Sequence, residues 1–120
     1  MSRILAVDDS RSMREMVTFT LTSAGFNVAQ AEDGAIALDM ARQEKFSLVL
    51  VDVNMPNMDG MALIRALRTQ AEYKFTPLLM LTTEAAADRK QEGKSAGATG
   101  WIVKPFNPET LVAMVKKVLA

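Results

Sequence analysis

Four short polar stretches carry the chemistry open to this sequence: Asp8-Asp9, Asp52 with Asn54, Thr82, and Lys104. Asp52 closes an apolar run, Phe46-Ser47-Leu48-Val49-Leu50-Val51, and Met55-Pro56 then stops it. Such a run suits a strand buried on both faces. A carboxylate at the carboxyl end of that strand faces the crevice where open α/β sheets bind ligands. Each residue has a plainer reading alone: Asp9 as a helix cap, Thr82 as a strand end, Lys104 as a solvated charge. Asp52 is harder to dismiss, because a carboxylate at the rim of a core is costly to desolvate without partners.

If each stretch follows a parallel strand, three carboxylates, one hydroxyl and one ammonium meet at one edge. Clustered carboxylates repel, so they hold protons or a cation neutralises them. Oxygen ligands without histidine or cysteine favour a hard divalent ion, Mg²⁺ or Mn²⁺. Such an ion brings in phosphate oxygens; Lys104 can neutralise a further phosphate charge and Thr82 can donate a hydrogen bond. Asp52 can then act as a nucleophile on phosphorus, with the protein supplying positioning and electrostatics.

The elements that must position these residues read as five strand–helix units. Ile4–Val7 is a buried strand, after which Asp9 or Ser10 can cap a helix. That helix carries Met13, Met16, Val17, Leu21 and Ala24 at helical spacing, and Gly25 ends it. Phe26, Val28 and Ala31 form a weaker second strand. Asp33-Gly34 opens a second helix with Ala37, Leu38 and Ala41 on one face. The central strand ends at Asp52, and Asp59 can cap a third helix carrying Leu63, Ile64 and Leu67. Gln70 to Thr76 is a polar connection, and Pro77–Leu81 a fourth strand. The fourth helix is expected from about Ala85 to Ala96, stopped by Gly97. It has Gly93 inside and mostly alanine for packing, which marks it as weakly held. Trp101–Val103 is the fifth strand. Asn107-Pro108 opens a last helix with a stripe of Leu111, Val112, Val115, Val118 and Leu119. Strict alternation predicts an α/β fold: one doubly wound, five-stranded parallel sheet with right-handed crossovers, flavodoxin-like (βα)5, strand order 2-1-3-4-5.

Composition narrows the function classes. The 120 residues suit one domain, residues 1–120. Fourteen basic residues balance fourteen acidic ones, so bulk charge drives the chain toward neither nucleic acid nor anionic membrane. The chain has no cysteine and no histidine, which removes thiol catalysis, a His triad and a zinc site built on either residue. Asp8 comes too early for a signal peptide, and no apolar run is long enough to span a bilayer. A cytoplasmic protein is expected.

Val7-Asp8-Asp9-Ser10, the stretch from Asp52 to Gly60, Leu81-Thr82 and Lys104-Pro105-Phe106 together resemble the receiver domains of bacterial two-component response regulators. The resemblance covers the whole chain and is to stand-alone chemotaxis regulators of the CheY type. It implies that Asp52 takes a phosphoryl group from a histidine kinase. It further implies that Asp9, Asp52 and the backbone carbonyl of Asn54 hold Mg²⁺, with Asp8 helping through water. Thr82 and Lys104 would contact the phosphoryl oxygens, and the peptide bond before Pro105 would be cis. Trp101 falls at the family's switch aromatic position, usually Tyr or Phe. Thr83 stands where the family usually has a smaller residue. The resemblance makes the chain a signalling phosphoacceptor rather than an enzyme. Its implied partners are a chemotaxis histidine kinase, the flagellar motor switch and a phosphatase. It implies a monomer that needs no nucleic acid or membrane.

Other functions fit less well. A flavin carrier would want a hydroxyl- and glycine-rich loop after the first strand, where Asp8-Asp9 would repel the flavin phosphate. An aspartyl phosphatase would need a second acid beside its nucleophile, and Val53-Asn54 offers none. A structural receiver-like domain would have lost one of Asp9, Asp52 and Lys104. Because the chain ends at Ala120, directly after the last helix, the expected output is a protein contact. The expected surface is formed by the fourth helix, fifth strand and fifth helix. A phosphorelay intermediate or a phosphate sink is the alternative within the class.

Overall fold

The computed structural model describes residues 2–53, 59–82, 87–104 and 106–119, without the side chains of 87–90. Asn54, Thr83 and the Lys104–Pro105 peptide bond lie outside what it describes. Five strands, β1 (Arg3–Val7), β2 (Asn27–Ala31), β3 (Leu48–Asp52), β4 (Leu78–Thr82) and β5 (Gly100–Val103), form one parallel sheet in the order β2-β1-β3-β4-β5. Helices α1 (Arg11–Ser23), α2 (Gly34–Gln43), α3 (Gly60–Arg68), α4 (Ala87–Ala96) and α5 (Pro108–Leu119) alternate with them. The expected fold and strand order are found.

The two-residue period of a strand divides its side chains between two helical layers. Leu5, Val7, Val49 and Val51 join Ala37, Leu38 and Ala41 of α2 and Leu63, Ile64 and Leu67 of α3 in one core. Their alternates Ile4, Ala6, Leu48 and Leu50 meet Val17 and Leu21 of α1 and Leu111 and Val115 of α5 in the other. Every residue of β3 and β4 is buried, which is why these segments read as continuous apolar runs. At roughly 1.5–3 kcal/mol per buried large side chain, these two layers supply most of the driving force for folding.

Local signals set the helix ends. The Oγ of Ser10, not Asp9, caps α1 by accepting from the N–H of Met13 at 3.3 Å. Asp9 stands one residue before the cap. Asp33, Asp59 and Asn107 cap α2, α3 and α5 as expected. Gly25 and Gly97 take positive φ, +99° and +110°, where a side chain would be strained.

Two features depart from the sequence reading. The connection from Gln70 to Thr76 is more than polar: Ala71–Tyr73 form a 3₁₀ turn that drives Tyr73 fully into the core. Gly93 is not simply a weak point of α4. It is buried against Met80, and a Cβ there would lie 2.3 Å from the Met80 thioether, so the glycine lets α4 approach β4.

Candidate functional site

The carboxyl ends of four strands deliver the polar residues to one edge. Asp52 is the last residue of β3 and Thr82 the last of β4, while Asp8 and Lys104 immediately follow β1 and β5. The register pairs Val7 with Val51, Asp52 with Leu81 and Thr82 with Val103. Backbone bonds continue the ladder past the strands: the N–H of Asp8 donates to Ala31 O (3.2 Å), that of Val53 to Leu81 O (3.1 Å) and that of Lys104 to Thr82 O (2.6 Å). The site is thus built on the hydrogen-bonded end of the sheet.

Carboxylate oxygens of Asp8, Asp9 and Asp52 lie within 4.8 Å of one another. The Nζ of Lys104 donates to Asp52 Oδ1 at 3.0 Å and to Asp8 Oδ2 at 3.3 Å. Asp8, Asp52 and Thr82 are only 3%, 5% and 4% exposed, whereas Asp9 faces solvent. Asp8 is held further by the N–H of Ser10, which donates to its Oδ1 at 2.9 Å.

Asp8 and Asp52 therefore share the Lys104 ammonium. Burial raises the Asp52 pKa above its ordinary value; the Lys104 hydrogen bond opposes the rise, and the charge of Asp8 adds to it. For Lys104, burial pulls down, but the hydrogen bond and charge of Asp52 and the charge of Asp8 outweigh it, so the amine is held more firmly as an ammonium. Among the described residues, Lys104 pairs with two of the three carboxylates. Three oxygen donors at this spacing, one open to solvent, fit a hard divalent cation and suit no soft metal.

Of the residues singled out in the sequence, Asp8, Asp9, Asp52 and Lys104 come together, and Thr82 stands at the same edge. Trp101 lies on β5 opposite Met80, half-buried against the α2–α3 core layer, three residues before Lys104. Two contributors were not foreseen. Gly60 opens α3 directly under β3; a Cβ there would sit 2.3 Å from the carbonyl oxygen of Asp52, and its N–H donates to Val53 O at 3.1 Å. Any side chain at 60 would push on the backbone that carries Asp52. Asp59-Gly60 reads as a turn signal, but the close approach is visible only in three dimensions. The second is Arg14, whose Nη1 donates to the carbonyl of Asp8 at 2.7 Å. Nothing in its spacing announces a carbonyl partner.

Residues 4–116 match the response regulator receiver domain family. The chain is 40% identical over 117 residues to chemotaxis protein CheY of Pseudomonas aeruginosa, covering 97% of this chain and 94% of that one. It is 42% identical over 117 residues to CheY-3 of Vibrio cholerae, covering 97% and 90%. Among solved structures, chemotaxis protein CheY4 of Vibrio cholerae superposes with a TM-score of 0.96 at 54% identity, covering 98% of each chain. A response regulator from Chloroflexus aurantiacus does so with a TM-score of 0.94 at 35% identity, covering 98% of this chain and 97% of that one. With an acidic crevice at the carboxyl edge of a 2-1-3-4-5 sheet and a family match over nearly its whole length, this chain belongs to the receiver domain family of two-component response regulators.

Proposed function

We propose that the chain is a chemotaxis response regulator whose Asp52 accepts a phosphoryl group from a histidine kinase. One observation carries the reading: the buried Asp52 carboxylate sits within 4.8 Å of the Asp8 and Asp9 carboxylates and 3.0 Å from Lys104 Nζ. These 120 residues hold no histidine, so the donor imidazole lies outside them. A carboxylate oxygen of Asp52 attacks phosphorus; the new P–O bond forms as the P–N bond breaks, and the electron pair leaves on the imidazole nitrogen. Lys104, already an ammonium against Asp52 and Asp8, turns to the incoming phosphoryl oxygens, and the Thr82 hydroxyl donates to them. A divalent cation, Mg²⁺ or Mn²⁺, held by Asp8, Asp9, Asp52 and the Asn54 carbonyl, would supply positive charge to those oxygens when bound. The chain is a signalling protein: its own carboxylate is the group transformed.

The output is a protein contact on α4, β5 and α5. A groove of about 380 Å³ runs between Thr99-Gly100-Trp101 and Met114-Lys117-Val118 there, supporting a docking role. Loss of the Lys104–Asp52 and Lys104–Asp8 bonds on phosphorylation would move the end of β5, and Trp101 is three residues away on the same strand. A partner that binds one of the two arrangements more tightly shifts their populations. The likeness to named chemotaxis proteins supports the flagellar motor switch as that partner.

The test is incubation with a small phosphodonor and Mg²⁺. Wild type should acquire one acid-stable, base-labile phosphoryl group, and Asp52→Asn none. Equal labelling of the two proteins would refute the assignment of Asp52.

A further inference from the structure

The three carboxylates are not held alike. Asp52 is fixed as the last residue of β3 and bonded to Lys104. Asp8 is buried, with its N–H on Ala31 O, one carboxylate oxygen on the Ser10 N–H and the other on Lys104. Asp9 is exposed, and its backbone nitrogen belongs to the Asp8–Asp9 peptide. The carbonyl of that peptide accepts from Arg14 Nη1 at 2.7 Å. The Nε of the same guanidinium donates to Gln30 Oε1 on β2 at 3.3 Å. Arg14 is half-buried in the second turn of α1, so its fork is braced from the helix and from the strand beside Asp8.

A guanidinium is planar, and two donors engaged on two elements fix its orientation. Its hydrogen-bond partners here are a carbonyl and an amide oxygen, not a carboxylate, so its bonds set geometry. We propose that Arg14 is a positioning residue for the divalent cation: by holding the Asp8–Asp9 peptide plane it aims the Asp9 carboxylate at the site shared with Asp8 and Asp52. This rests on the reading above, that the three carboxylates hold Mg²⁺ or Mn²⁺. Charge alone makes the opposite prediction. Removing a cation from beside an acidic cluster should tighten divalent binding, whereas removing a positioning bond should weaken it.

Mn²⁺ affinity, measured by electron paramagnetic resonance of the free ion, separates the two. Arg14→Met keeps much of the apolar stem and loses both the charge and the donors; it should bind Mn²⁺ about tenfold more weakly than wild type, the scale found when a residue that orients metal ligands is lost. Arg14→Lys restores one donor and should recover part of the loss. Gln30→Ala removes the brace while leaving Arg14 in place, and should weaken binding by a smaller factor. Urea unfolding in chelator identifies any variant that has lost its fold, and Gln30→Ala then decides alone. Equal or tighter Mn²⁺ binding by Arg14→Met, with the fold intact, overturns the proposal while leaving the cation site standing. No Mn²⁺ binding by wild type overturns the cation site and this inference together.

Discussion

The two edges of the sheet bury polar groups in opposite ways. At the amino-terminal edge Arg68 and Lys45 are served by neutral oxygens, while the more exposed Arg3 pairs with Glu44. Arg68 donates to the carbonyls of Tyr73 and Thr76, both at 2.7 Å, and of Gly97 at 2.9 Å, and reaches Thr99 Oγ1 at 3.3 Å. The fully buried Tyr73 hydroxyl accepts from the N–H of Phe46 (3.1 Å) and has the carbonyls of Ala41 (2.9 Å) and Glu44 (2.8 Å) as acceptors. Lys45 sits over the Tyr73 ring at 4.2 Å and donates to Thr76 Oγ1 at 2.5 Å. At the carboxyl edge three carboxylates cluster, and among the described residues Lys104 pairs with two of them. The first arrangement joins α2, α3, β4 and β5 and serves the fold. The second gathers like charges in one place, as expected where structure is given over to binding.

If that contrast is right, substitutions at the two edges shift stability in opposite directions. The largest effect is expected at Tyr73. Tyr73→Ala should cost about 4 kcal/mol in urea unfolding, from the lost ring and the cavity it leaves. Next comes Arg68→Ala, expected to cost about 3 kcal/mol because several carbonyls lose a charged donor together. A cost within about 0.5 kcal/mol, typical of a surface site, would make the amino-terminal network ornamental.

At the other edge, Asp52→Asn in metal-free buffer at pH 7 should stabilise the protein by about 1 kcal/mol. The pH dependence follows from the sign of the shift. Burial raises the folded pKa of Asp52 above its ordinary 3.8, so the folded chain holds that proton more tightly than the unfolded chain does. Its contribution is fully favourable below 3.8 and is lost as pH rises through the folded value. The advantage of Asp52→Asn should therefore shrink as pH falls through that window; an advantage that grows on acidification would reverse the assigned sign. The smallest effect is electrostatic. Lys104→Ala should tighten Mn²⁺ binding by about fivefold through loss of a neighbouring positive charge. Trp101 lies on β5 three residues before Lys104, so wild type is expected to change its tryptophan emission when a phosphoryl mimic and Mg²⁺ are added, and Lys104→Ala should abolish that change. Unchanged affinity would mean that Lys104 does not share the carboxylates' site.

Much of this was legible in the sequence because the decisive signals are local. Buried parallel strands are short apolar runs, so Leu48–Val51 and Leu78–Leu81 announce themselves, and parallel pairing then forces Asp8, Asp52, Thr82 and Lys104 to one edge. Caps at Asp33, Asp59 and Asn107 depend only on neighbouring backbone. What the sequence concealed depends on distant partners. Tyr73 sits in a polar stretch, and its burial is decided by Phe46, Ala41 and Glu44, all at least 27 positions away. Gly60 is required by a carbonyl eight residues back, Gly93 by a methionine on another element, and Arg14 by a peptide plane on the neighbouring strand's end. The choice of Ser10 over Asp9 as cap turns on a single residue, and pattern alone left both open.

The most direct test of Asp52 as acceptor is to locate the acyl phosphate chemically. Wild type treated with a small phosphodonor and Mg²⁺, then with borohydride, should contain homoserine at position 52 and at no other position when mapped by peptide mass spectrometry, and chelator should prevent its formation. Homoserine at position 8 or 9, or a phosphoryl group recovered on a hydroxyl side chain with position 52 unchanged, would contradict the account.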